Sequence, residues 1–306
     1  MIRRWRERAL PEVPADWKVE RSEGWGPFRT RVTWRLPDGS AVTWTSRWAR
    51  KRGSLHVRSD GAESVETRGA PEVAGRLRLV NWIASVAFTI GGSLFAAGAA
   101  VDQWGSGSSL SAASIYFAGG LFFNTGGYST LLQAINAPRG VGRDGSPRYA
   151  SWRWWSYEPE HIDWVSALTL FAGTIVFGIN LLDSFLQGLT VHQVNRLIWA
   201  PDVIGCFLFL ISGHLALKEV CHGRLRLIAD DLGWWVVALN QIGSYLFLVS
   251  ALAAYTRPET SSAVNVWIAN IGTLAGALCF AVGGVLQAFE QPEPEPVPAG
   301  QPAPGT

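Results

Sequence analysis

From residue 79 onward the chain runs in long apolar blocks separated by short polar connections, whereas the residues before it alternate on a two-residue period or carry charge. Residues 79–101 carry no charge, and neither do 110–135, 232–256 or 263–288. Residues 164–184 begin just after Asp163 and hold Asp183 near their end, and 197–218 carry Asp202 near their start and Lys218 at their end. About 20 mostly apolar residues suffice to cross a bilayer as a helix. A soluble helix would show a charged face opposite an apolar stripe, and these blocks lack one. The pattern predicts an all-α membrane protein with about six transmembrane helices. Pro201 suits a first helical turn, which places the start of the fourth helix near Trp199.

The Lys and Arg residues are distributed unevenly, with 17 of the 26 among the first 78 residues. With six spans, both termini and the second and fourth loops share one side, and only Arg196 and Arg257 lie on the other. The positive-inside rule then predicts a cell-membrane protein with N- and C-termini in the cytoplasm. Trp104, Trp199 and Trp267 fall near the outer interface, and Trp82, Trp164, Trp234 and Trp235 near the inner one, as in an aromatic belt. Arg3-Arg4 lacks the nearby apolar stretch of a cleaved leader, so 79–101 reads as a true span. Cys206, Cys221 and Cys279 are too few and too scattered for a disulfide framework.

The apolar blocks also repeat. Trp82, Trp164 and Trp234 are each followed nine residues later by Gly91, Gly173 and Gly243, and four residues beyond by Phe95, Phe177 and Phe247. In the even-numbered blocks, Gly119, Gly205 and Gly276 precede Phe123, Phe209 and Phe280 by four residues and Gly127, Gly213 and Gly284 by eight. This predicts three parallel copies of one helical hairpin. Helices in lipid associate by close packing at small residues, so these glycines, with the Gly272–Gly276 pair, are candidate packing positions.

Residues 1–77 read as a basic, tryptophan-rich cytoplasmic segment. Residues 28–51 alternate around a Pro37-Asp38-Gly39 turn, which predicts a β-hairpin with Trp34 and Trp44 pairing across it. Its end carries Arg47, Arg50, Lys51 and Arg52, which read either as an anionic-lipid contact or as charge that only fixes orientation. Trp152–Trp155 reads as an interfacial anchor. Residues 291–306 read as a disordered, proline-rich tail.

Catalytic motifs are missing: there is no Walker loop, nucleophile elbow, HExxH or paired CxxC. The chain is therefore expected to be non-enzymatic and without a cofactor. Polar groups at membrane depth are functional candidates by default. Here these are Asn124, Asn180, Asp183, Asp202, His214, Asn240, Gln241 and Asn270. His214, Cys221 and His222 share roughly one helix face and pose a metal-site question, although a histidine in this setting more often bonds a neighbouring helix. Asn124, Asn240 and Gln241 break the repeat, either gluing helices together or lining a polar path.

Ile90-Gly-Gly-Ser-Leu-Phe95 and Ile242-Gly-Ser-Tyr-Leu-Phe247, with Phe117-Ala-Gly-Gly-Leu-Phe-Phe-Asn-Thr-Gly-Gly127 one span later, resemble the YrhK-like family of bacterial two-span hairpins. The middle copy departs from it at Gly173-Thr-Ile-Val-Phe177. The resemblance implies a membrane protein and brings no activity or site residues with it. Two functional readings follow: a scaffold, sensor or assembly partner, and a small transporter or channel. The candidate partners are the bilayer, anionic lipid, and another protein or a second copy of the chain, with nothing pointing to nucleic acid.

Overall fold

The computed structural model describes residues 10–52, 54–58, 65–68, 71–105 and 109–290; the Arg3-Arg4 pair and the proline-rich tail lie outside them. The N-terminal part is a five-stranded antiparallel meander, β1 (Lys18–Glu23), β2 (Arg31–Arg35), β3 (Ala41–Thr45), β4 (Ser54–Arg58) and β5 (Val65–Arg68), in that order. A short helix, α1 (Ser46–Arg52), separates β3 from β4. The expected hairpin is thus the middle of a larger sheet. Its turn forms where Asp38 Oδ1 accepts from the Ser40 N–H and hydroxyl, with Gly39 at φ +88°. The five-residue connection pairs Val32 with Trp44 and Trp34 with Val42, so the two tryptophans sit diagonally rather than opposite one another. All four are buried, in a core with Trp17, Ala49, Leu55 and Val141.

Six long helices follow. They are α2 (Pro71–Trp104), α3 (Ser109–Ile135), α4 (Ile162–Asp183), α6 (Ala200–Val220), α7 (Leu232–Ala253) and α8 (Val266–Phe289), with the one-turn α5 (Val191–Val194) leading into α6. Each packs on its sequence neighbours, and α8 closes onto α2, giving a six-membered ring. Five of the helical stretches are long and apolar enough to cross a membrane; α3 is the one that falls short. It is equally long, but its serines and the Asn124–Tyr128 run lower its hydropathy.

The fourth stretch starts earlier than Pro201 suggests. Thr190 and Gln193 form a capping box ahead of α5, and a π turn, Asn195–Trp199, joins α5 to α6. Proline cannot donate to the carbonyl four residues back. The wider turn, in which the Ala200 N–H reaches Asn195 O, lets the helix continue past it.

The ring axis is filled by phenylalanine. Phe95, Phe123, Phe177, Phe209, Phe247 and Phe280, one from each long helix, meet with ring centroids 5.0–6.3 Å apart. Several of these contacts are edge-to-face, a favourable arrangement for aromatic pairs. Around this layer the helices touch at glycine. A Cβ on Gly119 would lie 3.1 Å from Gly91 O, one on Gly205 3.4 Å from Gly173 O, and one on Gly243 2.9 Å from Gly276 O. Outward-facing Trp82, Trp104, Trp235 and Trp267 are exposed, as are Trp154 and Trp155, whereas Trp164 is buried against Tyr157 rather than facing outward.

The sheet is joined to one end of the ring. The loop after α3 forms a two-stranded ribbon, β6 (Gly140–Val141) with β7 (Pro147–Arg148), and Glu12 bridges to Gly140 in parallel. Trp44 Nε1 donates to Pro138 O at 3.4 Å.

Candidate functional site

α1 follows β3 without a loop, so its first residues are delivered directly over the mouth of the ring. Its cations turn inward. Arg47 grips Glu290 with two bonds, Nε to Oε1 at 2.6 Å and Nη2 to Oε2 at 2.9 Å. Arg50 Nη2 donates to Glu219 Oε2 at 2.7 Å, while Ser46 Oγ donates to the other oxygen at 2.8 Å. Lys51 Nζ donates to Asn81 Oδ1 at 2.5 Å and lies 3.9 Å from Glu290. Gln287 Nε2 donates to the same Asn81 oxygen at 3.1 Å. The anchors come from α2, α6 and the residue that follows α8, so one short helix is tied to three of the six long helices.

Arg50, Lys51, Glu219 and Asp163 are all at most 6 % exposed. The basic cluster is therefore not a surface patch: Arg47, Arg50 and Lys51 face protein carboxylates rather than lipid. Ionised groups can be buried at acceptable cost only when paired and hydrogen-bonded. Burial opposes the charge on Glu290, yet Arg47 and Lys51 outweigh it and hold its pKa below the usual carboxylate range. Arg47 is likewise held above its ordinary value, Glu290 and Glu219 overcoming desolvation. Lys51 has the weaker partners. Burial pulls it down to about 7, against the attraction of Glu290 and with Arg47 pushing the same way.

A second cluster adjoins the first. Arg139 pairs with Asp163 at 3.1 Å and Glu158 at 3.2 Å, and Arg153 pairs with Glu158 at 2.7 Å. Arg50 Nε stands 3.9 Å from Asp163 Oδ2. Between α1 and the phenylalanine layer lies a cavity of about 90 Å³, walled by residues of all six long helices. Its roof is Arg47, Arg50 and Lys51, and its floor Phe88, Phe209 and Phe280.

Of the polar groups singled out in the sequence, Asn240 lines this cavity and packs its Oδ1 against Gly283. Gln241 is buried and fills the space that a side chain at Gly213 would occupy. The equivalent space at Gly284 is held by Thr89, and at Gly127 by Thr174. Asn124 donates to Gly120 O of its own helix at 3.0 Å and lies against Gly178. Asn180 is buried and Asp183 half-buried at the far end of α4. Asp202 is half-buried at the start of α6, accepting a long contact from Cys206 at 3.9 Å. Asn270 donates to Gln103 at 3.1 Å, tying α8 to α2 at that same far end.

His214, Cys221 and His222 do not converge. His214 is exposed and meets Trp25 edge-on, and Cys221 Sγ donates to Arg226 O. His222 sits 3.0 Å from Thr30 Oγ1 of the sheet, pushed down to about 3 by burial and by Arg31, Arg226 and Arg21. Among the described residues no group of three His, Cys, Asp or Glu is placed to hold a metal ion.

Asp163, Glu219, Glu290, Asn81 and Gln287 were not singled out by sequence. A signal did exist: three acidic residues sit at the ends of apolar blocks on the side that also holds most of the cations. No family model matches the chain, nor does any curated protein or solved structure.

Proposed function

We propose that this chain is a non-enzymatic multi-pass protein of the cell membrane that holds a cytoplasmic β-sheet module at a fixed orientation for a protein partner. The observation carrying this reading is the buried anchoring of α1, which ties the sheet to three of the six long helices through Glu219, Glu290 and Asn81. A freely tethered domain would need no such contact. The edge strand β1 stays exposed along most of its length and is available for pairing with a partner's strand. The three hairpins are parallel copies of one YrhK-like unit; the supporting geometry is the matched glycine pairs and the shared phenylalanine layer. The charge distribution supports an orientation with the sheet and both termini in the cytoplasm.

A photo-cross-linking residue at Val19 in whole cells tests the reading. The expected result is one defined adduct that disappears when the residue is moved to buried Val42. No adduct, together with solute flux through proteoliposomes, would instead favour the transport reading, for which the polar cavity is the supporting feature. For the topology, a cysteine at exposed Glu259 is expected to react with an impermeant maleimide in intact cells, and one at Ser146 only after lysis; the reverse pattern would invert the orientation.

A further inference from the structure

The cavity under α1 contains polar atoms that the protein leaves without hydrogen bonds. Arg50 Nε and Asn240 Oδ1 are buried without a hydrogen bond, Asp163 Oδ2 is ion-paired with Arg139 Nη1 at 3.1 Å but keeps a further lone pair to offer, and all three belong to residues lining the same space. Arg50 Nε and Asp163 Oδ2 stand 3.9 Å apart, too far for a direct bond and suited to a single bridging water.

The hydroxyls of the wall add to this picture. Ser166 donates to Ser212 O, Ser212 to Ser166 O, Ser244 to Asn240 O and Thr130 to Gly126 O, at 2.8–2.9 Å. Each spends its proton on a backbone carbonyl and keeps oxygen lone pairs for another donor. An anion entering here would face those lone pairs, and a metal cation would face Arg47, Arg50 and Lys51. The site suits a neutral species that both donates and accepts.

We infer that the cavity between α1 and the phenylalanine layer binds a cluster of ordered water that joins Arg50 and Asp163 to Asn240 and the wall hydroxyls. Each water in a liquid-like cluster takes about 30 Å³, so about 90 Å³ accommodates roughly three molecules. Every long helix and α1 contribute to the wall, so this water is where the sheet module and the whole ring meet. The inference does not depend on the proposed partner or on the orientation.

X-ray radiolytic labelling of the full-length protein in nanodiscs, read by mass spectrometry, tests it, because hydroxyl radicals form at bound water. The phenylalanine layer contains its own control. Phe209 and Phe280 line the cavity, whereas Phe95 and Phe247 do not, and all four are 2–4 % exposed. Phe209 and Phe280 are expected to oxidise faster than Phe95 and Phe247, because only they border the bound water. Filling the space with Ala216→Leu is expected to remove that difference. Equally slow labelling of all four in the wild type would mean a dry cavity and overturn the inference. Equally fast labelling would mean a ring open to bulk solvent and overturn it as well. Replacing chloride by gluconate is expected to change nothing; loss of thermal stability or of the labelling contrast would identify an anion as the occupant.

Discussion

The mouth of the ring and its middle solve the packing problem by opposite means. At the mouth, long charged side chains reach across gaps and are held by a few directional bonds, such as the two from Arg47 to Glu290. In the middle, backbones approach until glycine is required, and phenylalanine fills what remains. The first arrangement is strong only while every partner is present, since removing one leaves an uncompensated charge. The second consists of many small dispersion contacts and degrades gradually. The mouth is therefore expected to fail abruptly and the middle in steps.

The largest effect should come from Glu219→Leu. It strands Arg50 with only Asp163 at 3.9 Å and takes away the acceptor for Ser46. A loss of about 3–5 kcal/mol is expected, read as a lower Tm in detergent and faster proteolysis of the sheet; a loss below about 1 kcal/mol would put this pair in the class of surface ion pairs. Phe177→Ala removes a ring that touches Phe95, Phe209 and Phe247. A cost of about 3 kcal/mol is expected, with the sheet still docked. If proteolysis of the sheet rises as much as in Glu219→Leu, the two regions are not independent.

Gly284→Leu should cost about 1–3 kcal/mol, because even a Cβ there would lie 2.8 Å from the Thr89 backbone nitrogen. Gly75→Ala serves as its control. Nothing lies within 4 Å of an added Cβ at Gly75, and alanine there is expected to stabilise α2 by about 0.5–1 kcal/mol. Equal melting curves for the two variants would remove close approach as the reason for glycine.

The smallest effect is a slope. Lys51 titrates near 7 in the fold and near 10.5 when free. Between those values the unfolded chain binds the extra proton, so the Lys51 contribution to stability increases as pH rises across the window and is least favourable below about pH 7. Lys51→Met should flatten Tm against pH between about 7 and 10 relative to wild type. An unchanged slope would mean that Lys51 is solvated.

The middle of the molecule was far more legible in sequence than the mouth. Long charge-free blocks and glycine at fixed spacing are local signals, each read within one helix. The register of Trp34 and Trp44 was not legible, because it depends on how many residues the turn takes up. The partners of Arg47 and Arg50 lie 243 and 169 residues away, and no period links them. Gln241 stood out as a break in the repeat, yet that it fills the space beside Gly213 emerges only when α6 and α7 are set side by side. Pro201 marked a helix start from its own chemistry, and the π turn shows the same residue carried within a longer helical stretch.

The 243-residue separation between Arg47 and Glu290 also sets an order of events during synthesis. At about 5–20 residues per second, a ribosome takes roughly 10–50 s to travel from one to the other. Through that interval the nascent α1 has no Glu290 to receive it, and the last residues of α8 complete the site that the first helix must enter.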